Sequence, residues 1–399
     1  MPSPHHARFA LDPAITFLNH GSFGACPREA LEAQSAIRAR MEAEPVRFFV
    51  HEAPPMLDAA RETIARELGA RPEDLVFVRN ASEGVATILA ARARALAPGD
   101  ELLTTDHAYP ACKNALDHLA SRTGAIVTVA RVPFPLSSAQ QVIDAITSAV
   151  TPRTKLALLD HVTSPTGLVF PIAEIVAALR ERGVETLVDG AHAPGMLDVD
   201  LDALGAAYYT GNLHKWMCAP KGCAILHIRR DLQDGIHPLV ISHGLRSTRP
   251  RPRLWEEFDW TGTDDPSAFL AAPAALSALA SMLPGGLPAL RDANRALALH
   301  ARDRLCATLG IAPPAPDSMI GALAAVPLPD AGSSARASAF DVDPLGLALL
   351  ERHAIEIPLF PWPAPPRRLL RIACQIYVDR DDVERLCAAL RSELAGVAR

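Results

Sequence analysis

The chain has 399 residues, 49% of them hydrophobic, and its 39 basic and 45 acidic side chains leave a formal net charge of -6. That balance excludes the basic footprint of a nucleic-acid binder, and the densest cationic stretch, "RSTRPRPR" (246–253), reads as a solvated loop. No apolar run is long enough to cross a bilayer, the opening stretch lacks the continuous apolar segment of a secretory signal, and seven cysteines without a CxxC pair make neither a disulfide framework nor a metal site; the expectation is a cytoplasmic protein with buried, reduced thiols.

Short apolar runs then alternate with longer helical patterns. "DLVFVRN" (74–80) precedes the helical "SEGVATILAARARAL", "DELLTTD" (100–106) precedes "YPACKNALDHLASRTG", and "AIVTVARV" (125–132) precedes "SSAQQVIDAITSAV". "KLALLDHV" (155–162) is followed by "PIAEIVAALRERG", "ETLVDGAH" (185–192) by a short helix at "LDALG", and "AAYYTGN" leads into "GCAILHI" (222–228). Buried strands between amphipathic helices predict an α/β fold with a mostly parallel sheet of about seven strands between helical layers. "LPGGLPAL" (283–290) marks a break; beyond it a long helical stretch, strand-like "GALAAVPLP" and "RRLLRIACQIYV", and the helical "DRDDVERLCAALRSEL" predict a smaller C-terminal α+β domain. The Pro-rich "IPLFPWPAPPRR" (357–368) is expected to be an ordered loop.

In parallel sheets, ligands bind beyond the carboxyl ends of the strands, where Asn80, Asp106, Thr163, Asp189 and residues 210–215 all fall. "NASEG" (80–84) opens a helix directly after a strand, so its backbone N–H groups and the Ser82 hydroxyl suit a phosphate, although capping alone accounts for the pattern. Asp189 ends an apolar strand, where a carboxylate could face a protonated ring nitrogen, bind a metal or cap the next helix. Lys215 is one of only four lysines among the 39 basic residues, and it stands between His214 and Trp216. A desolvated lysine amine forms a Schiff base with an aldehyde, which no arginine can do. Phosphate cradle, strand-end aspartate and later His-Lys, in that order on a parallel sheet, describe a pyridoxal phosphate site.

On these residues the chain resembles the fold-type I pyridoxal phosphate enzymes of the class V aminotransferase group, and most of all their isopenicillin N epimerase branch. The likeness runs through "FLNHGSFGACP" (17–27), "NASEG", "DHAYPACKNAL" (106–116), "DHVTSPTGLVFPI" (160–172), "VDGAHAPG" (188–195), "GNLHKWMCAPKG" (211–222), "WTGTDDPSAFLA" (260–271) and "LRIACQIYVDRDDVERL" (370–386). It implies that Lys215 carries pyridoxal 5'-phosphate as a Schiff base, that Asp189 pairs with the pyridine nitrogen, and that His192 and Thr163 lie near the ring's phenolic oxygen. Ser82, Glu83 and His214 would hold the phosphate, and either Tyr109 or His107, with Tyr109 preferred, would stack on the ring. Thr263 would reach the cofactor phosphate of a partner subunit, which implies a homodimer. Arg371 would clamp the substrate α-carboxylate, its fork matching that group, and Asn19, His20 and Phe48-Phe49 would line the substrate side. The implied organisation is an N-terminal segment (1–20) packing on the small domain, a cofactor-binding large domain (21–282) and the small domain (283–399).

Two departures limit the carry-over. Desulfurases of this group carry a serine three residues before the lysine, where this chain has Asn212, and a nucleophilic cysteine on the loop before the arginine, where "IPLFPWPAPPRRLLR" has none. Cys374 would point to the opposite face from Arg371 in a strand, and Lys221 reads as a turn residue rather than a second base. These departures argue against persulfide-forming desulfuration, and the resemblance to the epimerase branch implies epimerisation or racemisation at Cα of an amino acid or peptide-like amino acid. A lyase expelling sulfur or another β-substituent comes second, then an aminotransferase, and last a non-catalytic cofactor-binding protein.

Overall fold

The computed structural model describes residues 3–331 and 343–395. Seven strands form its main sheet: β1 (Leu75–Val78), β2 (Glu101–Thr105), β3 (Ile126–Ala130), β4 (Thr154–Asp160), β5 (Glu185–Asp189), β6 (Tyr208–Asn212) and β7 (Ala224–Ile228), in the order β1-β7-β6-β5-β4-β2-β3. All neighbours run parallel except around β7, which is antiparallel to both β1 and β6. The mostly parallel α/β sheet expected from the sequence is present. Its central strands are largely apolar because both faces are covered. Alternate residues feed two separate cores: Phe77, Leu103, Leu159, Val188 and Tyr209 enter one, while Val76, Leu102, Leu158, Leu187 and Tyr208 enter the other. β3, at the edge, leaves most of its side chains partly in solvent, as do Lys155 on β4 and Glu185 on β5.

Two helices, α1 (Arg28–Ala43) and α2 (Ala53–Glu67), precede the sheet and are not announced by the strand–helix alternation. The crossovers that keep the strands parallel carry α3 (Ala81–Arg92), α4 (Pro110–Thr123), α5 (Gln140–Ser148) and α6 (Ile172–Glu181). Local chemistry sets their ends. Asn80 accepts the Glu83 N–H at 2.9 Å to start α3, Pro110 occupies the first turn of α4, and Gly124 closes α4 in the left-handed conformation.

Beyond α7 (Gly286–Leu309), the strands β8 (Leu323–Leu328), β9 (Leu359–Pro361) and β10 (Arg368–Ala373) make an antiparallel sheet in the order β9-β10-β8, with α8 (Pro344–His353) between β8 and β9 in the chain and α9 (Arg380–Ala395) after β10. The Pro-rich stretch expected as a loop thus contributes a strand: Leu359 and Phe360 pair with Leu370 and Leu369, and prolines are tolerated there because β9 is an edge. Near the amino end, Thr16–Phe17 pairs in parallel with Ile355–Glu356, and Asn19 bridges to Ala373.

Two glycines permit approaches that any side chain would block. A Cβ on Gly84 would lie 2.2 Å from Thr210 Oγ1, so α3 sits directly on β6. A Cβ on Gly24, whose φ is +72°, would lie 2.1 Å from the His214 carbonyl oxygen. Gly84→Ala should lower stability by roughly 1–3 kcal/mol, the usual cost of overpacking, read as a lower urea midpoint with an unchanged m-value.

Candidate active site

The site forms past the carboxyl ends of β4, β5 and β6. β5 delivers Asp189, which is buried; its Oδ1 accepts the Ala191 N–H at 3.0 Å and its Oδ2 accepts the Cys112 thiol at 3.2 Å. Burial raises the Asp189 pKa, while the Cys112 hydrogen bond, the Ala191 N–H and the Lys215 charge oppose that rise. Its register partner at the end of β4, Asp160, is also buried and is pushed well above the usual carboxylate range by burial and by the Asp189 charge. Sequence reading overlooked both Cys112 and Asp160; neither sits in a pattern that marks it without the fold.

Lys215 follows β6 in a turn. Its Nζ lies 3.3 Å from His192 Nε2, and the Trp216 indole N–H donates to His192 Nδ1 at 3.4 Å. Burial, then the Lys215 and Arg371 charges, hold His192 well below its ordinary pKa, so the ring is neutral. With Nδ1 accepting, its proton belongs on Nε2, where it can donate to an unprotonated lysine amine. The Lys215 pKa is accordingly lowered to about 8, first by burial and then by Arg371, with Asp189 acting the other way.

Arg371, on β10, is 1% exposed. Its Nη1 donates to the Ser164 carbonyl and, at 3.3 Å, to Ser164 Oγ; its Nη2 donates to Ser22 Oγ at 3.4 Å; and Phe360 covers it at 4.8 Å from the ring centroid. Among the described residues it has no acidic partner, and its buried Nε has no acceptor. A structural ion pair is therefore not what holds this guanidinium. Burial lowers its pKa to about 10.

At the start of α3, donors are already divided. Ala81 N–H goes to Asn212 Oδ1 at 2.9 Å and Glu83 N–H to Asn80, which leaves the Ser82 N–H without a protein acceptor among the described residues. The Glu83 carboxylate turns back to the Arg79 N–H at 2.9 Å, so Glu83 serves the helix cap and stands outside the cradle that the sequence suggested for it. His214 donates Nδ1–H to the Cys223 carbonyl at 2.9 Å, leaving Nε2 for a ligand.

The remaining expected residues scatter. Thr163 and Thr166 share a hydroxyl hydrogen bond at 2.7 Å, and Thr166 meets His107 Nδ1 at 2.8 Å, while His107 Nε2 donates to Val132 O at 3.0 Å. With both nitrogens taken and its ring 4.5 Å from that of Trp362, His107 belongs to the loop core. Tyr109 is 42% exposed, and the charges of Asp189 and Arg371 both act on its phenol. His20 is buried between Tyr377 OH (2.8 Å) and Lys215 O (3.0 Å), so it is a strut behind the lysine rather than a substrate-side group. Asn19 takes the Ser22 hydroxyl at 2.5 Å, one step from Arg371. Phe48 is fully buried beside Met41 and Ala53, in a cluster apart from Lys215. Thr263 is exposed, on the loop following Trp260. That loop borders a cavity of about 460 Å³ whose lining includes Phe49, Arg79, Glu83 and Trp260 but neither Lys215 nor Asp189.

The profile of the aminotransferase class-V family matches residues 25–386. Isopenicillin N epimerase of Amycolatopsis lactamdurans is 37% identical over 96% of both chains. A probable chloroplastic L-cysteine desulfhydrase of Arabidopsis thaliana is 33% identical over 95% of this chain and 83% of its own length. Among solved structures, the cysteine desulfurase CsdA of Escherichia coli superposes with a TM-score of 0.78 at 21% identity, covering 98% of this chain and 97% of that one; that likeness concerns the fold.

The amine itself offers a test. Reductive methylation of Lys215 in the apoprotein should rise with pH around a midpoint near 8. Arg371→Ala should move that midpoint upward, because removing a nearby cation makes the ammonium form less unfavourable; peptide mapping of the modified lysine reads both.

Proposed function

The chain belongs to the aminotransferase class-V family of pyridoxal 5'-phosphate enzymes, and we propose that it inverts the configuration at Cα of an amino acid or peptide-like amino acid. The observation that carries the substrate class is the buried Arg371, which lacks any acidic partner among the described residues and keeps an unpaired Nε. A guanidinium so placed calls for a carboxylate ligand, and its fork fits an α-carboxylate.

The residues present fit the cofactor. Lys215 is a buried amine with a lowered pKa, Asp189 is a buried carboxylate for the ring nitrogen, and the free Ser82 N–H and His214 Nε2 are available to the phosphate. When bound, pyridoxal phosphate supplies an electron sink for the pair left at Cα when a bond there breaks. The chain's own part is positional. Arg371 fixes the carboxylate, which sets the bond at Cα that is aligned for cleavage, and Lys215, with His192 at its side, moves the proton. Epimerase is preferred over lyase because the relative with 37% identity is named an epimerase. A β-elimination of sulfur is the second reading, supported by the desulfhydrase likeness at 33% identity.

The purified protein should show a visible absorption band that Lys215→Ala abolishes and that borohydride fixes onto Lys215. Incubated with L- and D-amino acids, it should yield the opposite enantiomer without loss of mass. Release of pyruvate and a thiol or sulfide would instead establish the lyase; a colourless protein that takes up no pyridoxal phosphate would sink the reading altogether.

We also propose a homodimer in which Thr263 faces the partner's cofactor phosphate. Support comes from its exposure on the Trp260–Asp265 loop and from the exposed apolar side chains Val46, Val50, Leu239, Val240, Ile241 and Leu245, each about half or more accessible, a composition fitted to association. Sedimentation should give twice the chain mass, and Thr263→Ala should weaken cofactor binding several-fold, about 1 kcal/mol for one hydrogen bond.

A further inference from the structure

The groups that hold Arg371 are neutral, yet one of them begins a chain of hydrogen bonds that ends on a carboxylate. Arg371 Nη2 donates to Ser22 Oγ at 3.4 Å, the Ser22 hydroxyl donates to Asn19 Oδ1 at 2.5 Å, and Asn19 Nδ2 donates to Glu356 Oε1 at 3.4 Å. The direction of this chain is fixed at both ends. A guanidinium only donates and a carboxylate only accepts, so the Asn19 amide turns its nitrogen to Glu356 and its oxygen to Ser22. The Ser22 proton is thereby committed to Asn19, and an oxygen lone pair is left to face Nη2. Backbone contacts hold the same alignment. Asn19 bridges to Ala373, two residues along β10 from Arg371 and so on the same face, and a Cβ on Gly21 would lie 3.3 Å from Arg371 Nη2. Asn19 also stands at the start of the helical turn His20–Phe23 without capping it; its side chain is turned to Ser22 instead.

We propose that Ser22 and Asn19 are positioning residues for Arg371 and set the affinity of its guanidinium for the substrate α-carboxylate; this rests on the reading of Arg371 as the carboxylate clamp. Ser164 O and Oγ occupy Nη1, and Ser22 takes one hydrogen of Nη2. That leaves Nε–H and the second Nη2–H without an acceptor among the described residues. A neutral hydroxyl at Nη2 keeps the cation from being neutralised in advance, as a directly contacting Glu356 would do. Through the aligned dipoles of Asn19 and Ser22, the Glu356 charge still stabilises the buried guanidinium. The relay offsets part of the burial cost and leaves the ion pair to the substrate. Because the Asn19 side chain reaches Arg371 only through Ser22, its contribution vanishes when the Ser22 hydroxyl is removed.

The test is made on the holoenzyme with propionate, a carboxylate that carries no amine, and with propionamide, its neutral isostere, both titrated by calorimetry. Wild type should bind propionate more tightly than propionamide, and Arg371→Gln should abolish the difference. Ser22→Ala should weaken propionate about tenfold, the scale of one hydrogen bond to a charged group, and leave propionamide affinity and cofactor content within about twofold of wild type. Asn19→Ala should weaken propionate about threefold to tenfold by itself and add nothing in the Ser22→Ala background, the non-additivity of residues acting in series. Unchanged propionate affinity in Ser22→Ala, equal losses for propionate and propionamide, or additive losses in the double variant would overturn the relay alone. A wild type that does not distinguish the two probes, or a preference that survives Arg371→Gln, would overturn the clamp reading and the relay together.

Discussion

Two cations buried without a contacting anion dominate this structure. Burial and then the Arg371 charge lower the Lys215 pKa, and neither residue forms a salt bridge among the described residues. Each buried ion costs several kcal/mol in lost hydration. Neutral groups meet part of that cost: Ser164 and Ser22 receive the Arg371 N–H groups, Phe360 covers its face, and His192 meets the lysine. Asp189 contributes one negative charge from a distance. On the proposed reading, a substrate carboxylate completes the balance at Arg371, so binding and charge neutralisation are the same event there. A carboxylate entering against a waiting, desolvated guanidinium is in the range where pairing is worth several kcal/mol.

The separation of those cations is fixed by the segment around residues 17–27. Gly24 lets its backbone lie against His214 and Lys215, and a Cβ on Gly21 would lie 2.9 Å from Leu323 and 3.3 Å from the Arg371 guanidinium. His20 ties the same segment to the Lys215 carbonyl on one side and to Tyr377 on the other, while its ring packs 4.8 Å from that of Trp216. A stretch expected to touch substrate therefore acts largely as a spacer between the lysine turn and β10. Its small residues are required because two backbones and a guanidinium converge on it.

How much of this could be read beforehand depends on the range of the interaction. The central strands of the main sheet were legible because burial on both faces leaves a largely apolar run, and Lys215 and Asp189 were legible because they end or follow such runs. α1 and α2 were not, since neither is bracketed by strands that would announce a crossover. Nor was the fate of Glu83: the three-residue spacing from Asn80 is a capping pattern, and only the position of the Arg79 N–H shows that the carboxylate folds back. Cys112 and Asp160 joined the site through tertiary contact alone, one from the first turn of α4 and the other by strand register with Asp189. Between Tyr109 and His107 the sequence prefers the tyrosine; in the fold both His107 nitrogens are engaged, by Thr166 and the Val132 carbonyl.

The wall above Arg371 narrows the chemistry further. Sulfur transfer through a persulfide needs a thiolate facing the substrate, but Phe360 occupies that wall, and every cysteine of the chain is buried. For Cys112, Cys218, Cys223 and Cys374 burial raises the thiol pKa far above neutrality, which suppresses the nucleophilic form. On the proposed reading, inversion and β-elimination would share the first proton removal by Lys215 and diverge at the next event, when a proton returns to Cα or a group leaves Cβ. The partition is kinetic.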